Sequence, residues 1–583
     1  MNTVDYDDDT TFLGEWGSFQ KMIMALLCIS ITPNGFTAMS IVFLGDTPPH
    51  HCAIPANVNI TAEWRNYSIP LEEDNGMLRY SKCTRYKLDV IKLLSDNRSV
   101  PGVDVNVTEI EQEGCNDGWE YDREIYVSTI VSEWDLVCSD AWKAPLTTSL
   151  MYAGVLCGSF ISGQLSDRFG RKIILFGTIA VQTLFTFFQI FSTSWLMFSA
   201  LFFVVGMGHV SNYVAAFVLG AEILSPRIRI IYSTVGVCIC FAFGYMLLPL
   251  MAFFIRDWRM LLIAMGVPGI FYFPLWRFIP ESPRWLLSQG RVEEAEDILR
   301  GAAKQNRVKA PEVIFQPLQV VKVKKVNHHN IYDLLKSNNI RQITILLSFV
   351  WLVISIGYFA LALNTSNLSG DPFLNCFFSA AVEVPAYILS WVLFRSYPRR
   401  LCLSPMLVLG GAVLLLTQFI PGDVSSVSTA LEMAGKFGVT VAYTIAYAFT
   451  AELYPTVLRN TAVCACCTVS RLGSTAAPYF VYLGTYYKSL PYLLMGSFIV
   501  LGGLVSLLLP ETYGMPLPET IDHMQTIQRC KKRKKSNNLT AIEDENLQTP
   551  VSPIRNALQE AGVDVELLSA EDFINQSTKP TKH

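Results

Sequence analysis

Thr450-Ala-Glu-Leu-Tyr-Pro-Thr-Val-Leu-Arg459 is followed by an uncharged run and then by Arg471. The front of this stretch has an echo at an offset of 230 residues, Gly220-Ala-Glu-Ile-Leu-Ser-Pro-Arg-Ile-Arg229, which aligns Ala221, Glu222 and Arg229 with Ala451, Glu452 and Arg459. The same offset carries Pro280-Glu281-Ser282 onto Pro510-Glu511-Thr512. Two matches at one offset indicate an internal repeat, so the chain is two related halves. The back of the stretch puts a guanidinium inside an apolar segment, the most expensive residue in the chain and a functional-site candidate by default.

Composition agrees with a membrane setting. Apolar residues make up 51% and charged residues 16% of the 583 positions, and long uncharged runs recur. About 20 apolar residues cross a hydrocarbon core of roughly 30 Å. The fold expected is all-α and polytopic, with twelve transmembrane helices in two six-helix halves. The divisions are an N-terminal segment 1–20, a first half 21–279, a central loop 280–341, a second half 342–510 and a tail 511–583. No basic, cleavable leader is read at the start. Span one, Met22 to Leu44, is expected to break at Pro33-Asn34-Gly35.

Residues 45–143, within the first half, hold Cys52, Cys83, Cys115 and Cys138 and four Asn-x-Ser/Thr sequons, at Asn59, Asn66, Asn97 and Asn106. That combination reads as an extracellular, glycosylated, disulfide-stapled subdomain, with the pairing left open. Basic residues in Gly163-Gln-Leu-Ser-Asp167-Arg168-Phe-Gly170-Arg171-Lys172, and in the central loop from Arg284 to Lys325, mark the opposite side as cytoplasmic. An even number of spans then puts both termini in the cytoplasm. Lys531 to Lys535 reads either as an attraction for anionic lipid or as a solvated tail.

Gly163-Gln-Leu-Ser-Asp-Arg-Phe-Gly-Arg-Lys172 resembles the loop signature of major facilitator transporters. Gly220-Ala-Glu-Ile-Leu224, Pro280-Glu-Ser-Pro-Arg-Trp-Leu286 and Ala451-Glu-Leu-Tyr-Pro-Thr456 resemble solute carrier family 22. Phe12-Leu-Gly-Glu-Trp16, Ile31-Thr-Pro-Asn-Gly-Phe36 and Val210-Ser-Asn-Tyr-Val-Ala-Ala-Phe217 are similar to the novel organic cation/carnitine subgroup. The resemblance implies a major facilitator fold, a plasma-membrane location and, for a carnitine-type member, sodium-coupled uptake. Two departures stand out. Where the subgroup has a Walker-like Gly-x-x-x-x-Gly-Lys-Ser, this chain reads Gly220 to Arg227 without the second glycine or the lysine, so no nucleotide site is expected. The ending Pro580-Thr-Lys-His583 lacks the hydrophobic terminus of a PDZ-type tail.

Arg471 lies about eleven residues into its span, near mid-membrane at 1.5 Å per residue. Its guanidinium fork suits a solute carboxylate, a role the resemblance also implies; the alternative is a salt bridge to Glu383. Glu383 could attract a cationic group or coupling ion, or pair with a buried cation. Glu432 and Lys436, four apart on one helix face, can neutralise each other. A quaternary ammonium is recognised by aromatic faces, for which Tyr213, Trp351, Tyr358 and Tyr447 are candidates. Asn34 and Asn212 offer neutral oxygens for sodium, or bond helix to helix. His209 reads as structural. Asp167, Arg171, Glu222, Arg229, Glu452 and Arg459 are expected to form matched salt-bridge networks between the halves, locking an outward-facing state.

These features predict a secondary transporter, not an enzyme. The expected solute is a small zwitterionic quaternary ammonium, with carnitine first, moved with sodium and without a cofactor. Alternatives are a sodium-independent carrier, an organic cation or ergothioneine carrier, and a non-transporting receptor. No nucleic-acid partner is expected; membrane lipid is.

Overall fold

The computed structural model describes residues 6–74, 77–315, 333–420 and 425–515, together with Pro518. The basic run Lys531–Lys535, Lys324, Lys325 and the terminal Pro580–His583 lie outside the described residues.

Twelve long helical segments run through the described residues. The first six are α1 (Ser18–Met39), α2 (Lys143–Phe169), α3 (Arg171–Ile190), α4 (Trp195–Ile223), α5 (Val237–Phe254) and α6 (Trp258–Tyr272). The second six are α7 (Asn338–Leu363), α8 (Pro372–Ala381, continued as Glu383–Ser396), α9 (Arg399–Leu416), α10 (Ser425–Leu453), α11 (Thr456–Tyr482) and α12 (Leu490–Ser506). Nine helices among the described residues are long and apolar enough to cross a membrane, and α12 is a shorter apolar helix. α10 and α11 are long but carry charges along their length, Glu432 and Lys436 on α10 and Arg471 on α11. Across the bundle large apolar residues turn outward, as Phe188 of α3, Phe254 of α5 and Phe271 of α6 do, and many small and polar ones turn in.

The repeat is visible in the packing. α1 lies on α5, α2 on α4 and α3 on α6, and α7 on α11, α8 on α10 and α9 on α12 repeat the arrangement. The halves meet through α2 on α11 and α5 on α8, the two contacts that a two-fold relation demands. Close backbone approach sets the α1–α5 contact: a Cβ on Gly35 would come within 2.1 Å of the Phe241 carbonyl oxygen. Only glycine fits there.

Helix α1 does not break at Pro33-Asn34-Gly35. Pro33 lies inside a continuous helix from Ser18 to Met39, as membrane helices allow when neighbouring helices satisfy freed backbone groups. The irregular places are elsewhere. A π-helical turn, Tyr232–Gly236, leads into α5, and α8 is divided at Val382, one residue before Glu383.

Between α1 and α2 stands a small subdomain of three two-stranded antiparallel sheets. Its core is Trp64, Tyr86, Ile91 and Ile110. Arg85 is buried and held by Glu113, Asp117 and the Ala53 carbonyl. The disulfides are Cys52–Cys115 and Cys83–Cys138, which resolves the pairing that sequence left open. Asn59, Asn66, Asn97 and Asn106 are all exposed, with Asn106 hydrogen-bonded to Thr108 and Glu109. The bundle therefore has a subdomain face and, opposite it, a terminal face.

Candidate functional site

Two cations lie inside the bundle. Lys436, on α10, is 2% exposed and forms an ion pair of 3.2 Å with Glu383, itself fully buried. Its ammonium also donates to Ser379 Oγ at 2.6 Å and stands over the Tyr245 ring, 4.6 Å from the centroid. Glu383 in turn accepts hydrogen bonds from Tyr358 (2.7 Å) and Tyr387 (3.0 Å). Tyr245 belongs to α5, so the cluster joins the halves, and the Tyr245 hydroxyl lies 3.2 Å from Ser379 Oγ. A buried pair is tolerable when its remaining donors and acceptors are satisfied, as here. Two sequence expectations change. Glu383 pairs with Lys436, not with Arg471. Glu432 does not neutralise Lys436; its Oε1 accepts from Asn364 at 2.7 Å.

Arg471, on α11, is different. No carboxylate among the described residues forms an ion pair with it. Its side chain is half-buried, and its electrostatic neighbours are Tyr443, Tyr447, Cys467 and Tyr213. Tyr152 and His209 also feel its charge, so residues from both halves surround it.

The aromatic residues around it divide into two groups. Tyr213, Tyr443 and Tyr447 keep open surface. Tyr443 and Tyr447 are neighbours at 5.6 Å between centroids. Trp351 is fully buried, donates Nε1–H to Thr450 Oγ1 at 2.9 Å and stands edge-on to Tyr447 at 4.5 Å. Tyr358 is spent on Glu383. These two therefore back the open tyrosines and hold them in place. Tyr443 was not anticipated, although it lies one helical turn from Tyr447 and its hydroxyl reaches Ser470 at 3.1 Å.

Asn34 and Asn212 meet in the first half. Asn212 Nδ2 lies 3.4 Å from both Asn34 Oδ1 and the Ser30 carbonyl, and His209 Nε2 lies 3.0 Å from the Asn34 carbonyl. Asn212 Oδ1 and Gln182 Oε1 are buried without hydrogen-bond partners among the described residues. They border a small cavity of about 20 Å³ lined also by Ser30, Thr37, Thr186 and Tyr272.

At the terminal face each half holds its own ion-pair network. Arg171 meets Glu222 (3.0 Å) and Asp167 (3.0 Å), while the backbone amides of Arg171 and Lys172 donate to Glu281. Gly170 has φ +105°, and a Cβ there would strike the Glu281 carboxylate. In the second half Arg399 meets Glu452 (3.0 Å), and the amides of Arg399 and Arg400 donate to Glu511. Sequence reading missed Arg399, although Glu281 and Glu511 were already aligned by the repeat. The networks are matched but lie within each half, contrary to the expectation of bridges between them. Arg229 is held by Asp7 of the N-terminal segment at 2.9 Å, whereas its repeat mate Arg459 has buried Nε and Nη2 atoms with no partner among the described residues.

The sugar (and other) transporter family profile matches residues 109–524. Mouse organic cation/carnitine transporter 2 is 58% identical over 530 residues, covering 91% of this chain and 95% of its own. The human protein of that name is 55% identical over 542 residues, covering 93% and 97%. Mouse solute carrier family 22 member 4 is 56% identical over 533 residues, covering 91% and 96%. The inward-open xylose transporter XylE from E. coli shares the fold, with a TM-score of 0.57 at 14% identity over 87% of this chain and all of that one. Two bundles joined about a polar interior define a major facilitator transporter, not an enzyme. The chain belongs to the sugar (and other) transporter family, and within it to the organic cation/carnitine group of solute carrier family 22.

Proposed function

We propose that this carrier takes up a small zwitterion bearing a quaternary ammonium and a carboxylate, with carnitine as the first candidate, together with sodium across the plasma membrane. Both termini are then cytoplasmic and the subdomain, with its sequons, is extracellular. The observation that carries the reading is the contrast between the two interior cations. Lys436 is neutralised by Glu383, while Arg471 has no acidic partner among the described residues and keeps open surface. A carboxylate brought by the solute supplies the missing charge through a bidentate contact. Tyr213, Tyr443 and Tyr447 offer ring faces to the ammonium, each contact worth about 0.5–2 kcal/mol. The names of the relatives, which are organic cation/carnitine transporters, support the same chemistry.

Sodium, as cargo, finds oxygen ligands in the first half, where Asn212 Oδ1 and Gln182 Oε1 are buried and unpartnered near Asn34. The matched networks of Arg171–Glu222 and Arg399–Glu452 keep each half rigid at its terminal face while the halves rock about the α2–α11 and α5–α8 contacts. Asp167 belongs to the first of these networks through Arg171, and Arg229 and Arg459 flank them. The test is uptake of labelled carnitine into sealed vesicles containing the purified protein, with and without a sodium gradient, for the native chain and for Arg471→Ala. Accumulation that requires sodium and collapses in the variant supports the reading. Binding without accumulation would mean a receptor, and uptake indifferent to Arg471 would remove the carboxylate contact.

A further inference from the structure

From the sequence His209 reads as structural, and one side of its ring is. Nε2 lies 3.0 Å from the Asn34 carbonyl. A carbonyl only accepts, so Nε2 carries the hydrogen and donates it. The other nitrogen, Nδ1, is buried and has no hydrogen-bond partner among the described residues. Neither nitrogen meets an acid, and the ring lies within reach of the Arg471 charge. A second unpaired cation buried there would be costly, so the ring is the neutral imidazole. Nδ1 is therefore a bare lone pair with nothing to accept.

Its place in the fold connects it to the interior site. His209 and Tyr213 are four residues apart on α4 and so share one face of the helix. Tyr213 keeps open surface and is an electrostatic neighbour of Arg471. The groups nearby that could donate are engaged elsewhere. Tyr152 has given its hydroxyl to the Ala38 carbonyl at 3.2 Å, and Asn212 turns its amide to Ser30 and Asn34. Sodium takes oxygen ligands, which leaves the ring nitrogen free of the coupling ion. The missing donor has to come with the solute.

We infer that His209 Nδ1 accepts a hydrogen bond from the transported solute, and that this carrier selects a zwitterion with a hydroxyl on the chain between its carboxylate and its ammonium.

The inference rests on the function proposed above and adds a third contact to it. The carboxylate goes to Arg471, the ammonium to Tyr213, Tyr443 and Tyr447, and the hydroxyl between them to His209. A solute without that hydroxyl leaves Nδ1 buried and unpaired. Sites built to hydrogen-bond a hydroxyl discriminate most strongly against such analogues. Three contacts to one carbon centre also separate mirror images. The enantiomer that satisfies both charges turns its hydroxyl away from the ring.

The test is sodium-driven uptake into sealed vesicles containing the purified full-length protein. The probes are labelled carnitine and labelled 4-trimethylammoniobutanoate, the same molecule without its hydroxyl. The native chain is expected to favour carnitine by about tenfold in uptake efficiency, and to favour one carnitine enantiomer over the other. In His209→Gln a carboxamide nitrogen reaches the Nε2 position, which keeps the Asn34 contact and removes the Nδ1 acceptor. Both preferences should then disappear. In His209→Asn a carboxamide oxygen stands near the Nδ1 position, and the preference for the hydroxyl should survive. A purely structural histidine would lower uptake of both solutes together and leave their ratio intact. That result, or equal handling of the two solutes by the native chain, would overturn the inference and leave the Arg471 contact standing. Accumulation of neither solute by the native chain would overturn the proposed function and this inference with it. Should His209→Gln fail to fold, the native ratios and those of His209→Asn decide.

Discussion

Lys436 and Arg471 lie in adjacent helices of the same half, and the protein treats them oppositely. Lys436 meets an acid, a hydroxyl and an aromatic face, all its own. Arg471 meets tyrosines and a cysteine and no acid among the described residues. A buried cation without a counter-charge is costly in any apolar setting. One of the two therefore fastens the halves together, and the other, on the function proposed above, is held for a partner from outside. The lesson is that burial of charge alone does not mark a binding residue; the absence of an internal counter-charge does.

The most damaging way to break the contrast is to remove half of the satisfied pair. Glu383→Gln leaves Lys436 buried and uncompensated, at about 3–5 kcal/mol. Thermal denaturation in detergent should show a large drop in Tm. The double variant Glu383→Gln/Lys436→Met should recover most of it, because both charges leave together. If the double variant is no better than the single one, the pair is not what the ammonium depends on.

Arg471→Ala comes next. Truncating one partner of a buried charge contact costs about 2–5 kcal/mol, so carnitine uptake should fall by at least an order of magnitude with surface delivery retained. Tm should hold or rise, the reverse of Glu383→Gln. A fall in Tm as large as that of Glu383→Gln would mean that Arg471 is structural too.

The matched networks sharpen the comparison at lower cost. Glu222→Gln and Glu452→Gln each remove a charged acceptor from a partly exposed arginine, worth about 1–2 kcal/mol. Equal losses of stability in the two variants are expected from the repeat, read by denaturation, with a shift in conformational balance read by cysteine accessibility on the two faces. Unequal losses would show that the halves differ in function despite their shared geometry.

The smallest effect belongs to Asp7. Burial alone pushes its carboxyl up, but hydrogen bonds and charge from Arg229 and Arg284 outweigh this and hold it below the usual value. A carboxyl depressed in the folded state adds stability above its unfolded pKa and loses it as pH falls through the folded one. Asp7→Asn should therefore cost up to about 1 kcal/mol at neutral pH, with the gap to the native chain closing below about pH 4. A gap that persisted in acid would assign Asp7 a role other than its charge.

Much of the architecture can be read from the chain because membrane helices announce themselves by hydropathy and the repeat by its fixed offset. Arg471 is legible for the same reason, as a lone charge in an apolar run. What escapes is whatever depends on neighbours from distant helices. Glu432 and Lys436 look like partners because they are four residues apart, yet Lys436 turns to Glu383 on α8 and Glu432 to Asn364 beyond α7. Pro33 looks like a break, and packing keeps the helix intact. Tyr443 had its signal in the one-turn spacing from Tyr447, but aromatic residues in membrane helices are too common for spacing alone to single it out.

The two disulfides of the subdomain interleave, with Cys83 inside the span of Cys52–Cys115 and Cys115 inside that of Cys83–Cys138. A single peptide-bond cut anywhere between Cys52 and Cys138 is thus bridged by at least one of them. A protease that nicks this region frees no fragment, and the two pieces of the carrier travel together until a reductant parts them.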